Sequence, residues 1–174
     1  MYEDPKRWSL MFQTYVQLTL IQQHTRITNK SIRVMERSLL SARYCFVENL
    51  YNGGNMTDAE YTVLSEWFNF LITLPQLNFK IDQIVYLRTD PEVAYERIKK
   101  RKRPEEHLIP FSYLKDLHEL HEDWLVHKTK FQPLAAPVIV VDANPGLEVL
   151  SETYKSLEYQ IVEQANSNKF AQTI

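Results

Sequence analysis

The sequence predicts an α/β fold in which a parallel sheet is flanked by helices. Three short stretches, at 31–35, 84–87 and 138–141, have the length and composition of strands. Patterns with apolar residues three and four positions apart, which are typical of helices, separate these stretches. Strands that alternate with helices are joined by right-handed crossovers and pair in parallel.

The first half of the chain begins with a helix. Asp4-Pro5 predicts its start, because aspartate caps free amide groups and proline fits the first helical position. Apolar residues at helical spacing follow, and the helix should end near His24. After the strand at 31–35, Ser38 or Ser41 should cap a second helix that ends at Asn52-Gly53-Gly54.

The middle of the chain should hold a third helix and a buried strand. Thr57 and Glu60 form a capping box at the start of this helix, and Pro75 ends it. The continuous apolar run at 84–87 is typical of a parallel strand that is buried on both faces.

The remaining elements follow the same logic. Asp90-Pro91 predicts a helix start, and this helix runs into the basic residues of 97–103. Pro110 begins another helix, and the strand at 138–141, also of the buried kind, ends at Asp142. A final helix should carry the apolar residues that begin at Leu147.

Composition limits the classes of protein to which the chain can belong. Its 174 residues, 44% of them hydrophobic, suit about one domain, which we place at 1–165 with a disordered tail at 166–174. The net charge of −2 argues against a nucleic-acid coat protein. The single Cys45 excludes an internal disulfide and is expected to be a small buried hydrophobe.

Two further features exclude other classes. The chain has only three glycines, so it contains no glycine-rich phosphate loop. The stretch 8–25 has no Asp, Glu, Lys or Arg, but its four glutamines argue for a helix in water rather than in a membrane. The mixed charges of the first eight residues are not typical of a signal peptide.

Polar residues follow each of the three predicted strands. They are Glu36-Arg37-Ser38, 88–90 and 142–144. Because ligands bind at the carboxyl ends of parallel strands, these residues favour an anionic or polyhydroxylated ligand. Glu36 and Arg37 could hold Mg²⁺ and a phosphate or hydroxyl group, or they could form a structural ion pair.

A basic run, with six Lys or Arg among the seven residues 97–103, directly precedes Pro104-Glu105-Glu106. It could be a solvated helix end, a nuclear-localisation or nucleic-acid patch, or a lid over a triphosphate. Its position after a strand and a helix, with acids directly following, favours the lid.

Two histidines, His118 and His121, lie three residues apart on a predicted helix. That spacing could serve a metal, but both share the apolar stripe of this helix and no third ligand is evident. We therefore expect histidines that pack in the core.

Four segments follow one another along the chain: MYEDPKRWSLMFQTYVQLTL, MERSLLSARYCFVENLY, YLRTDPEVAYERIKKRKRPEE and LHELHEDWL. Together they resemble the deoxyribonucleoside kinase family. The resemblance covers roughly 2–144 and is strongest to the branch of mitochondrial thymidine kinases and insect multisubstrate kinases. It implies a three-layer architecture like that of P-loop kinases. It also implies transfer of the γ-phosphate of ATP to the 5′-hydroxyl of a deoxynucleoside, with Mg²⁺.

The resemblance implies a role for individual residues. Gln13 would read the pyrimidine edge and Phe46 would stack on the base, with the pocket lined by Phe12, Val16, Leu20 and Ala42. Tyr2 and Glu106 would hold the 3′-hydroxyl, Arg37 would hold the 5′-oxygen, and Glu36 would help to place Mg²⁺. The cations over the phosphates would be Arg97, Arg101 and Arg103.

The family begins with a strand and a phosphate loop that these residues do not contain. The resemblance therefore implies a member truncated at its N-terminus, inactive and poorly folded on its own. An alternative is a noncatalytic nucleoside-binding or regulatory fragment that pairs with full-length subunits. We expect a homodimer in the mitochondrial matrix or cytoplasm, with nucleoside and ATP as ligands and neither nucleic acid nor membrane as a partner.

Overall fold

The structure is a computed structural model that describes the backbone of residues 3–171 and the side chains of 3–161 and 163. Seven α-helical segments, two π-helical segments, two 3-10 turns and two strands follow one another in this part of the chain. They are α1 Pro5–Thr25, α2 Leu39–Ser41, π Ala42–Val47, α3 Glu48–Asn52, α4 Asp58–Thr73, 3-10 Pro75–Leu77, β1 Ile84–Arg88, α5 Pro91–Arg101, 3-10 Pro104–Glu106, α6 Phe111–His121, π Glu122–Val126, β2 Val138–Asp142 and α7 Leu147–Ala171.

The sheet joins β1 and β2 in parallel, with Ile84 opposite Val138 and Arg88 opposite Asp142. Helices flank this sheet, which confirms the predicted α/β class. The prediction that both strands are buried on both faces was wrong, because Leu87 and Val140 are 46% and 47% exposed. The described sheet has two strands, so each is an edge strand without a second neighbour to shield it.

The predicted strand at 31–35 was also wrong. In the part of the chain that the structure describes, this segment pairs with no strand, and Val34 is 82% exposed. A strand is stable only when a neighbour satisfies its backbone groups, and among the described residues this segment has no such neighbour. Glu36 and Arg37 are therefore not at a strand end, although they directly precede α2.

Three of the predicted helix starts are confirmed by side-chain caps, whereas Asp90 precedes α5 without a side-chain cap hydrogen bond. The Asp4 carboxylate accepts a hydrogen bond from the Arg7 amide at 3.2 Å. Ser38 accepts from the Ser41 amide at 3.2 Å and so caps α2. At α4, Thr57 accepts from the Glu60 amide while the Glu60 carboxylate accepts from the Thr57 amide. These caps fix where α1, α2 and α4 begin.

Helix α1 buries polar residues and exposes apolar ones. Its buried residues are Ser9, Gln13, Gln17 and Leu20. Large hydrophobic side chains on the opposite face are exposed, among them Trp8, Met11, Phe12, Tyr15 and Leu18. An amphipathic helix normally shows the reverse arrangement. The inward face of α1 thus presents hydrogen-bonding groups to the protein interior.

The core lies where α2, the π segment Ala42–Val47, α4 and α6 meet. Cys45, Phe68 and Trp124 are buried in its main cluster. Burial raises the pKa of the Cys45 thiol, so this residue is the small buried hydrophobe that the sequence predicts. No helix in the described residues is long and apolar enough to cross a membrane.

Candidate nucleoside site

The centre of the candidate site is the inward face of α1, which packs against α2 and the π segment Ala42–Val47. Gln13 is only 3% exposed, and its side-chain oxygen has no hydrogen-bond partner among the described residues. Leu20 and Ala42 are also buried, at 8% and 3% exposure. A buried amide oxygen without a partner is costly unless water or a ligand completes its hydrogen bonds.

Phe46 lies in the π segment, and its ring carries a cation on one face. The guanidinium carbon of Arg37 is 4.4 Å from the centroid of this ring. Arg37 has φ +64°, a left-handed conformation that costs a residue with a side chain about 1–2 kcal/mol. Strain of this kind persists where the surrounding structure holds it, often at ligand sites.

The ring of His121 packs between the rings of Phe46 and Tyr86. Its ring meets Phe46 edge-on, with centroids 6.4 Å apart, and stacks on Tyr86 at 5.7 Å. Its Nδ1 lies 2.7 Å from the Leu117 carbonyl oxygen, which the Nδ1–H tautomer would satisfy. Burial lowers the pKa of His121, and the positive charge of Arg37 lowers it further. His121 is therefore a packed, neutral ring at pH 7.

The predicted lid contains a compact ion pair. Nη2 of Arg101 lies 2.6 Å from Oε1 and 2.7 Å from Oε2 of Glu106, and Nε lies 3.0 Å from Oε2. Arg103 approaches the same carboxylate at 3.6 Å. The structure thus brings Glu106, which is predicted to hold the 3′-hydroxyl, together with Arg101 and Arg103, which are predicted to contact phosphate.

Arg97 has a different environment from the other two arginines. Its guanidinium donates to the carbonyl oxygens of Ala143, Asn144 and Pro145 at 2.8, 3.0 and 2.9 Å. These bonds fasten α5 to the loop that follows β2. A contact between Arg97 and phosphate stays a prediction, and it would require Arg97 to give up some of these bonds.

The carboxyl ends of β1 and β2 meet as the sequence predicts. The Asn144 side chain accepts from the Asp90 amide at 2.8 Å and donates to the Asp90 carboxylate at 3.1 Å. Beside them, Arg88 and Tyr86 donate to the buried carboxylate of Glu122, each at 3.0 Å. Burial acts to raise the pKa of Glu122, but the hydrogen bonds from Arg88 and Tyr86 outweigh it and the pKa is lowered.

The predicted Mg²⁺ residue, Glu36, is exposed. Among the described residues, no group of three or more His, Cys, Asp or Glu side chains could hold a metal ion. A single carboxylate does not form a protein cage, but it fits the way in which Mg²⁺ is bound by one or two carboxylates together with substrate phosphates.

Three of the residues predicted to contact the nucleoside are not on the buried face of α1 that carries Gln13, or are not fully buried there. Tyr2 is outside the described residues. Phe12 is 44% exposed, on the face of α1 away from Gln13, and Val16 is half-buried. Their roles in lining a pocket stay predictions.

Sequence reasoning missed Glu122 and Gln17, and it placed Asn144 at a strand end without predicting its hydrogen bonds to Asp90. Glu122 pairs with Arg88, which is 34 positions away, and no local motif indicates that contact. The predicted meeting of strand ends could have suggested that Asn144 bonds to Asp90. Gln17, which is completely buried, could have been found from its four-residue spacing to Gln13.

Comparison with known proteins identifies the family. Residues 1–167 match the deoxynucleoside kinase family. The chain is 49% identical over 166 residues to human mitochondrial thymidine kinase 2, covering 95% of this chain and 62% of that protein. It is 37% identical to human deoxycytidine kinase, covering 94% of this chain and 66% of that protein. Xenopus laevis mitochondrial deoxyguanosine kinase is also 37% identical, with 85% and 60% covered. The chain thus spans 60–66% of the length of these relatives, and it belongs to the deoxynucleoside kinase family.

Proposed function

We propose that this chain forms the nucleoside site and lid of an ATP-dependent kinase that phosphorylates the 5′-hydroxyl of thymidine and deoxycytidine. The observation that carries the proposal is the buried amide of Gln13, whose oxygen is unpaired among the described residues. A pyrimidine edge offers a donor beside an acceptor, which is the complement of a carboxamide. The relatives named thymidine kinase and deoxycytidine kinase support the same substrate class.

The surrounding side chains suit the rest of a nucleoside. Phe46 offers a ring face to the base, and a base that stacks there would take the place of the Arg37 guanidinium. Arg37 would then be free to approach the 5′-oxygen, while Glu106 would accept a hydrogen bond from the 3′-hydroxyl. Phosphoryl transfer depends on positioning and charge neutralisation, which Arg101 and Arg103 would supply.

Mg²⁺ would neutralise phosphate charge, with Glu36 as the protein ligand that helps to place it. These 174 residues contain no glycine-rich phosphate loop and no lysine that follows one. We therefore propose that they bind nucleoside but do not transfer phosphate by themselves, because backbone amides and a lysine normally position the triphosphate.

The test compares two proteins, the 174-residue chain and a chimaera in which this chain replaces the matching segment of human thymidine kinase 2. Calorimetry measures nucleoside binding to both, and phosphorylation is measured in the chimaera. Gln13→Ala should weaken thymidine binding by about 1–3 kcal/mol, because it leaves the base edge unpaired. Gln23→Ala, on the exposed side of α1, is the matched control and should bind as the wild type does.

Two results would contradict the proposal. One is tighter binding of deoxyguanosine than of thymidine, and the other is unchanged thymidine binding by Gln13→Ala. Phosphorylation of thymidine by the 174-residue chain at the rate of the chimaera would contradict the statement that the chain alone is inactive.

We further propose that the protein is a homodimer. Exposed apolar side chains line one face of α1 (Met11, Tyr15) and one of α4 (Val63, Trp67, Phe70). Apolar helix faces of this kind mark protein contacts. The same surface would serve the second candidate function, a noncatalytic nucleoside-binding subunit paired with catalytically complete subunits. Sedimentation equilibrium should give twice the monomer mass for the wild type and the monomer mass for Trp67→Glu.

We also propose the mitochondrial matrix or the cytoplasm as the compartment. The word mitochondrial in the name of human thymidine kinase 2 supports a mitochondrial location.

A further inference from the structure

Gln17 has no place in the proposed reaction, yet its environment is unusual. It is completely buried, and both its side-chain nitrogen and its side-chain oxygen lack a hydrogen-bond partner among the described residues. The Gln13 oxygen is the third buried side-chain atom in this condition. All three atoms belong to residues four apart, on one face of α1.

Three other polar side chains on α1 or in the segments packed against it already have partners. Ser9 donates to the Pro5 carbonyl oxygen at 2.6 Å, and Ser41, in the packed helix α2, donates to the Ser38 carbonyl oxygen at 2.9 Å. Arg43, in the adjoining π segment, donates to Tyr61 and Ser65 and pairs with Glu48. A buried amide nevertheless requires partners, and a trapped water commonly supplies them. One helical turn away, the Gln13 side-chain oxygen is also buried without a partner among the described residues.

The orientation of the Gln13 amide matters for the choice of base. Thymine offers an acceptor at O4 beside a donor at N3, whereas cytosine offers a donor at N4 beside an acceptor at N3. Gln13 must turn its NH₂ towards O4 of thymine but its oxygen towards N4 of cytosine. These two orientations differ by a half-turn of the amide. If the Gln13 amide rotates freely, it can hydrogen-bond to either base. If a neighbouring group fixes its orientation, it binds one of the two bases more tightly.

We propose that Gln17 is a positioning residue that holds the Gln13 amide in one orientation, directly or through one buried water, and thereby sets the preference between thymidine and deoxycytidine. This inference rests on the proposed pyrimidine site. The Gln17 amide would hydrogen-bond to the Gln13 oxygen on its inner side, and the outer edge of Gln13 would remain available to the base.

The first test measures the dissociation constants of thymidine and deoxycytidine in the 174-residue chain and, in parallel, in the chimaera. We expect the wild type to separate the two nucleosides by about fivefold or more, which is the effect of one hydrogen bond. Gln17→Met keeps the length of the side chain without hydrogen-bonding groups and should bring the ratio within about twofold of one. Gln23→Met, the same change on the exposed side, should leave the ratio unchanged. A wild-type ratio near one, or an equal ratio in wild type and Gln17→Met, overturns the proposal.

The second test needs no ligand. Urea unfolding of Gln13→Met, Gln17→Met and the double variant forms a double-mutant cycle. If the two amides are linked, Gln17→Met should change the unfolding equilibrium constant of the wild type and of the Gln13→Met variant by factors that differ about threefold or more. Additive effects overturn the linkage. If the cycle shows that the two amides are linked but no nucleoside binds, the proposed function and the selectivity based on it are overturned. If nucleoside binds but the two substitutions are additive, only the role of Gln17 is overturned.

Discussion

The ion pair between Arg101 and Glu106 leads to a prediction about the lid. The Arg101 side chain is 47% exposed, whereas that of Glu106 is 13% exposed. Because water screens the exposed guanidinium, such a pair contributes no more than about 1 kcal/mol. A donor placed against the charge that develops in a transition state contributes about 10²–10³-fold in rate. Triphosphate should therefore displace Glu106 from Arg101 and leave the carboxylate free to bind the 3′-hydroxyl.

Arg101→Ala should lower kcat of the chimaera by about 10²-fold, because it removes a cation from the transferring phosphate. It should change the dissociation constant of thymidine by less than about threefold, since the broken pair is weak. Steady-state phosphorylation assays give kcat, and calorimetry gives the dissociation constant. Hydrogen exchange across 97–106 should slow when a bisubstrate analogue binds, as expected of a lid that closes.

The control is Lys100→Ala, which removes an exposed cation from the preceding position of α5. It should retain kcat within about twofold, because a general loss of surface charge is screened by salt. If Arg101→Ala and Arg103→Ala both keep wild-type kcat, the basic run is a solvated helix end and the lid interpretation is wrong.

Three further predictions concern stability. Burial lowers the pKa of His121, so protonation of this residue at low pH favours the unfolded chain. The melting temperature should therefore be constant above about pH 6.5 and fall below that pH. This fall should be smaller in the His121→Gln variant. Thr57→Ala removes a helix cap and should cost about 1 kcal/mol, measured as a melting temperature lower by about 2–4 °C. Asn144→Ala breaks two bonds to Asp90 and should cost about 1–3 kcal/mol in urea unfolding, whereas an unchanged midpoint would show that the strand ends hold together without it.

Local signals predicted the helix starts and two of the strands. Asp4, Ser38 and Thr57 cap helices because a side-chain oxygen next to free amides acts within one turn, whatever the rest of the chain does. The parallel pairing of β1 and β2 follows from the helices between them. The segment 31–35 shows the limit of this reasoning, because its composition suits a strand but strand formation depends on a distant neighbour.

The candidate site was predicted less completely, for a related reason. The resemblance pointed to Gln13, Phe46 and Glu106, but it did not indicate that Arg37 lies over the Phe46 ring or that Arg101 pairs with Glu106. Periodicity locates the apolar stripe of a helix without telling which side meets the core, so the burial of Gln17 on the same face as Gln13 was not anticipated. Contacts such as that between Arg88 and Glu122 join residues far apart in sequence, and only packing brings them together.

Two local costs in the structure lie at residues to which the resemblance assigns ligand contacts. Gln13 buries an unpaired oxygen, and Arg37 adopts a left-handed backbone conformation with its guanidinium over the Phe46 ring. A sequence selected for stability alone would tend to remove such features, since each conflicts with local preference. A base that pairs with the Gln13 amide would remove the first cost, whereas the contacts around Arg37 have to offset the second. The unpaired Gln13 oxygen is therefore the feature that the proposed nucleoside would complete.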